Sequence, residues 1–160
     1  AAAAAASPEH RAIHFLLETN PGPGLGLLLS FMVFGKGMAK LSAPGSIIIH
    51  FFGGIHEIYF PYVLAHPVMI VAMWAGGIAA DIVFVATNAG LVATPSPGSI
   101  FAYLAVTPPG QHFGVLGGVL VGAVASFLVG SFILRVYPVK ETKEEAEMET
   151  AAPLPAGVPA

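Results

Sequence analysis

From Leu41 to Leu134 the sequence holds only two formally charged side chains, Glu57 and Asp81. A soluble domain keeps roughly a quarter of its residues charged to cover its surface. The whole chain, at 9% charged and 56% apolar, falls far short of that. An all-α integral membrane protein is the fold class this demands, because helices satisfy their own backbone N–H and C=O groups in lipid. The lack of cysteine removes disulfides, thiolate nucleophiles and cysteine metal sites from this chain. A net charge of −3 with only six Lys and Arg speaks against a nucleic-acid partner. Ala1–Ala6 lacks the basic and apolar regions of a signal peptide.

Along the chain, Pro8 to Glu18 sets Glu9, His10, Arg11, His14 and Glu18 on one helical face and Ile13, Leu16 and Leu17 towards the other, an interfacial pattern. The prolines and glycines of NPGPGLG (Asn20 to Gly26) rule out a smooth helix start before the short apolar run Leu25 to Phe34. That run is too short to cross a bilayer core of about 30 Å, which takes ~20 helical residues. Gly35 to Lys40 marks a water-facing turn. Ser46 to Ala65 has spanning length but is interrupted at Gly53-Gly54 and again at Pro61, so it is expected as a re-entrant or broken helix. Pro67 to Leu91 is the cleanest span, and Ile100 to Val106, between proline-rich turns, is a second re-entrant element. Phe113 to Val136 is the last span. Its small residues Gly114, Gly118, Gly122, Ser126 and Gly130, continuing the spacing from Gly110, make a groove that winds around the helix and lets other helices approach closely. Arg135, Lys140 and Lys143 follow, placing the C-terminus in the cytoplasm by the positive-inside bias. The expected organisation is an alanine-rich segment over 1–8, a membrane domain over 9–139, and an acidic then Pro/Ala-rich linker or tail over 140–160.

The sequence offers little conventional chemistry. His56-Glu57 begins the zinc-protease pattern H-E-x-x-H, but position 60 is Phe, so the second ligand is missing. His10 and His14 share helical spacing on a surface helix, where a metal pair is uncommon. GPGLG (Gly22 to Gly26) has no lysine partner and is no phosphate loop. His50, His66 and His112 read first as hydrogen-bonded structural imidazoles. No metal site and no cofactor is expected. Glu57 is different in kind: a charged carboxylate near the bilayer centre costs about 3 kcal/mol on insertion scales, and such residues usually face a cavity on a substrate or ion path. Just after the glycine break it falls in the first turn of a half-helix, whose dipole favours an anion. Ser46, His50, His56, Tyr59 and Tyr62 supply polar surroundings suited to a hydrogen-bonding ligand.

NPGPGLG, SAPGSIIIHFFGGIHEIYFPYVL and SPGSIFAYLAVTP, in this order and spacing, resemble the membrane-embedded C domain of the mannitol-specific enzyme II of the bacterial phosphoenolpyruvate-dependent sugar phosphotransferase system. The resemblance runs from about Ile13 to Arg135 and covers roughly the second half of that domain, a partial domain. It implies a multi-pass permease in the bacterial inner membrane that binds mannitol and presents it to a phosphorylated B domain, yielding mannitol 1-phosphate. An A domain and a phosphocarrier protein would stand upstream, a homodimer is implied, and the first half of the C domain would complete the site. Glu57, the acidic residue of the family's G-I-H-E motif, is the implied catalytic residue and contacts the attacking hydroxyl. His56 is then a second hydrogen-bonding contact to the substrate or orients Glu57, and Asn20 and His50 are further candidate substrate contacts. The phosphoryl donor in this family is a cysteine of the B domain, which this chain must receive from another chain or segment. Asp81 falls where the family pattern is apolar and takes no family role. The competing reading is an ion-coupled secondary transporter with Glu57 and Asp81 as a relay.

Overall fold

A computed structural model describes residues 13–138. The alanine run, the part of the interfacial helix that carries His10, and the tail over 140–160 lie outside these residues. Among the described residues every element is helical: α1 (His14–Thr19), α2 (Pro21–Phe34), α3 (Gly37–Ile47), α4 (Phe60–Ala65), α5 (Ile70–Ala86), α6 (Ile100–Ala105) and α7 (His112–Val136).

The proline-glycine run does not stand apart from α2. It forms its first turns. The opening N–H groups of a helix have no partner within it, so Pro21 loses nothing there, and the Asn20 side chain accepts from the Gly22 N–H at 2.9 Å. At 14 residues α2 is about 21 Å long, still short of a bilayer core. The expected turn after Phe34 is confined to Gly35 and Lys36, and α3 then runs through Pro44 instead of starting after it. Irregularity follows as a π-helical turn at Ile48–Phe52. The expected break at Gly53-Gly54 is present, and a 3-10 turn (His56–Tyr59) leads into α4. Pro61 does not interrupt α4. It occupies the first turn, where its missing N–H is not needed.

Among the described residues two helices are long and apolar enough to cross a membrane: Pro67–Ala86, which includes α5 and the 3-10 turn before it, and α7. The first ends earlier than the apolar run does, at a turn where Asn88 takes a left-handed conformation (φ 50°). Both carry large apolar side chains outward. Trp74, Val85 and Phe132 are 64%, 67% and 67% exposed, an arrangement that water would penalise. In the interfacial pattern Leu16 is buried, whereas Leu17 is exposed.

The winding groove on α7 is filled as its spacing implies. A Cβ built on Gly114 would meet Thr87 and Ala89, on Gly118 the Phe84 ring, on Gly122 Ala80 and Gly76, and on Gly130 Ser30 and Met69. Along α7 the partner therefore passes from α5, running antiparallel, to α2, running parallel. Two apolar clusters cap this contact. Leu16, Phe84, Leu91, Tyr103, Val115 and Val119 form one, and Leu27, Phe31, Met69, Ile133 and Leu134 belong to the other. α7 contributes to both and ties the described residues into one core.

Candidate functional site

The site is organised by the unwinding after Phe52. Gly53, Gly54 and Ile55 donate their N–H groups to Ile48, His50 and Ile49 carbonyls (3.1, 3.0 and 3.3 Å), which closes the π turn and frees the chain to change direction. Gly54 has φ 78°, and a Cβ there would lie 2.5 Å from the Ser99 nitrogen, so both conformation and space call for glycine. Backbone of the Ser96–Ser99 loop lies against it. Ser99 caps α6 through its hydroxyl, which accepts from the Ala102 N–H at 3.2 Å.

His56 joins these two loops. Its Nε2–H donates to the Gly98 carbonyl at 2.9 Å. A carbonyl can only accept, so in the neutral ring Nε2 carries the hydrogen and Nδ1 is an acceptor. The His56 ring lies 4.5 Å from that of His50, which is fully buried and donates from Nε2–H to the Pro21 carbonyl at 3.0 Å. Tyr59 packs edge-on to His50 at 5.7 Å. Through these contacts the start of α2, the G-I-H-E turn and the Ser96–Ser99 loop are held together by two imidazoles.

Beside His56 opens a cleft of about 360 Å³, with Asn20, Tyr59, Trp74 and Asp81 among its walls. Asn20 spends its side-chain oxygen on capping α2, while its buried amide nitrogen has no hydrogen-bond partner. The volume suits a small ligand, at the low end of ordinary binding pockets.

The expected site residues thus divide. Asn20 and His56 line the cleft, and His50 supports it from behind. Glu57 occupies the first turn of the 3-10 segment, as expected, but it is exposed and does not line this cleft. Ser46 and Tyr62 lie elsewhere: the Tyr62 hydroxyl bonds both Ser42 and Ser46 at 2.8 Å, in a separate polar group. His66 donates to the Tyr137 carbonyl at 2.8 Å, a structural role. Among the described residues no three His, Asp or Glu side chains gather as metal ligands. Trp74 is a cleft residue that the sequence reading does not single out, and Asp81, read there only as a relay partner of Glu57, lines the cleft as well. Their signal is spacing, since Trp74, Gly77 and Asp81 stand at i, i+3 and i+7 on one face of α5.

No family model and no solved structure matches the chain. The PTS system mannitol-specific EIICB component of Geobacillus stearothermophilus is 63% identical over 125 residues, 78% of this chain and 26% of that protein. The chain is a homologue of the mannitol-specific EIICB components. The cryptic mannitol-specific EIICB component of Escherichia coli K12 is 54% identical over 147 residues, 92% of this chain and 32% of the relative. A mannitol-specific EIICBA component from the same strain is 46% identical over 158 residues, again 92% of this chain and 25% of the relative. The chain therefore spans about a quarter to a third of the length of the mannitol EIICB relatives it matches.

Proposed function

We propose that this chain is the second half of the membrane C domain of a mannitol phosphotransferase permease, lying in the bacterial inner membrane with its C-terminus in the cytoplasm. The identity to mannitol-specific EIICB components carries this reading. A first-half segment completes the site, the protein works as a homodimer, and a B domain on another chain or segment supplies the phosphoryl group. The EIICB and EIICBA relatives, with B and A domains in their names, support that partnership. An A domain and a phosphocarrier protein recharge the B domain.

In the proposed reaction a mannitol hydroxyl oxygen attacks the phosphorus of a B-domain phosphocysteine. A P–O bond forms, the P–S bond breaks, the thiolate leaves, and the hydroxyl proton passes to the Glu57 carboxylate. Catalysis of this kind is mostly positioning and charge stabilisation. Glu57 is suited to it by exposure, being open to a partner segment, while its neighbour His56 is anchored at Gly98. The anchored ring orients its Nδ1 acceptor and fixes the turn that carries Glu57. Asn20 contributes its unpaired amide donors, and His50 holds His56 in place.

Membrane vesicles containing this chain, a first-half C-domain segment and a phosphorylated B domain test the proposal. Labelled mannitol is expected to appear inside as mannitol 1-phosphate. Gradient-driven accumulation of unmodified mannitol would instead establish an ion-coupled transporter. In the same assay Asn20→Ser should keep the α2 cap, with melting unchanged to within about 0.5 kcal/mol. Loss of the amide donors should raise the KM for mannitol several-fold, by roughly the worth of one neutral hydrogen bond.

A further inference from the structure

Asp81 has no part in the mechanism above, yet its position calls for a role. It lies in the C-terminal third of an apolar helix fit to cross a membrane, more than a turn from its end, and is only partly exposed. Ionisable groups at such positions usually face a cavity or a polar partner. The cavity is present: Asp81 is a wall of the same cleft as Asn20 and His56. What those neighbours offer is complementary. Asn20 brings a buried amide NH₂ without a partner, and His56 brings an Nδ1 acceptor, its Nε2–H being bound to Gly98. Asp81 adds two carboxylate oxygens that only accept when ionised. Trp74 and Tyr59 add aromatic surface beside them.

One chemistry uses all of these groups together. A polyol has hydroxyls on adjacent carbons, which can donate to the two oxygens of one carboxylate while accepting from an amide, and its C–H edges pack on aromatic rings. A simple cation would leave the amide donors unused, and an apolar ligand would leave the carboxylate unpaired.

We propose that Asp81 is a polyol-binding residue, accepting hydrogen bonds from a pair of neighbouring hydroxyls in the cleft that begins at His56. The inference rests on the mannitol-site reading above and adds to it a binding residue on α5. Hydrogen bonds to an ionised acceptor are stronger than neutral ones, so Asp81 contributes to affinity and to discrimination among hydroxyl patterns. It acts on binding and not on the transfer step, which takes place at Glu57.

The kinetics of mannitol phosphorylation in the complete permease with its B domain test this. Asp81→Asn is expected to raise the KM about tenfold with kcat within about twofold, the signature of lost uniform binding. Asp81→Leu should lose more affinity, and both variants should discriminate less against mannitol analogues lacking one hydroxyl of the recognised pair. An unchanged KM in both overturns the inference. Carboxyl modification of the wild-type protein gives a measurement independent of variant folding. A hydrophobic carbodiimide, followed by mass spectrometry, should label Asp81, and mannitol should protect it. Equal labelling with and without mannitol, in protein shown by equilibrium dialysis to bind mannitol, overturns this inference alone. Wild-type protein that neither binds nor phosphorylates mannitol overturns the functional reading beneath it.

Discussion

Replacing Glu57 by glutamine is expected to abolish mannitol phosphorylation while leaving the protein folded and inserted. Glutamine keeps the shape of the side chain and its ability to hydrogen-bond a hydroxyl, but it cannot take a proton from it. Losing a positioned general base typically costs 10²–10⁴-fold in rate, so kcat with a phosphorylated B domain should fall by at least about 10²-fold. Stability should not follow, because Glu57 is exposed and belongs to neither apolar cluster. Mannitol binding should weaken much less than turnover, since Asn20 and His56 remain. The measurement is single-turnover transfer from phosphorylated B domain to labelled mannitol, with binding determined separately by dialysis. Undiminished transfer would remove Glu57 from its proposed role. Equal losses in binding and turnover would make it a binding residue only.

The contrast between Glu57 and Asp81 shows which parts of a site a sequence carries. The turn holding Glu57 is legible because its cause is local: a glycine pair inside an apolar run has few uses other than a break, and the first residues after it must start a new helical turn. The direction in which Glu57 faces is set by what the chain packs against, and no local pattern encodes that. Asp81 is the converse case. As a single carboxylate in an apolar helix it reads as an isolated cost, and only the packing of α5 beside Asn20 and His56 gives it a cleft to line. The same reasoning covers the two imidazoles. His50 and His56 are six residues apart, yet their partners are the carbonyls of Pro21, in the first turn of α2, and Gly98, in a loop, two segments that meet only through tertiary packing. The start of α2 was hidden for a different reason. Proline and glycine carry low helix propensity wherever they occur, and the exemption for a capped first turn depends on Asn20 accepting from the Gly22 N–H, a geometric detail and not a matter of composition.

Those misread glycines carry the largest structural effect expected in the chain. The small-residue groove on α7 needs a close-approaching partner, and at the level of Ala123 to Phe127 that partner is Gly26 of α2. A Cβ on Gly26 would run into the Ala123 carbonyl oxygen and lie 2.8 Å from both the Phe127 nitrogen and the Ser126 Cβ. Two of these obstacles are backbone, which no rotamer change relieves, so α2 and α7 would have to move apart along the contact that joins the two apolar clusters. Gly26→Ala should therefore lower stability by about 2 kcal/mol and Gly26→Val by at least about 3 kcal/mol, the cost of overpacking where nothing yields. Against a typical total of 5–15 kcal/mol, the valine variant should be largely lost from the folded pool. Gly45 supplies the control, because a Cβ there meets nothing within 4 Å. Gly45→Ala should be neutral or slightly stabilising through helix propensity. Thermal unfolding in detergent, followed by the loss of the monodisperse peak in size-exclusion chromatography, reads all three. A Gly26→Val protein that melts with the wild type would mean that α2 and α7 do not approach at this glycine. The cleft would then lose its support, since α2 carries Asn20 at one end of this contact and α7 holds α5, with Asp81, on its other side.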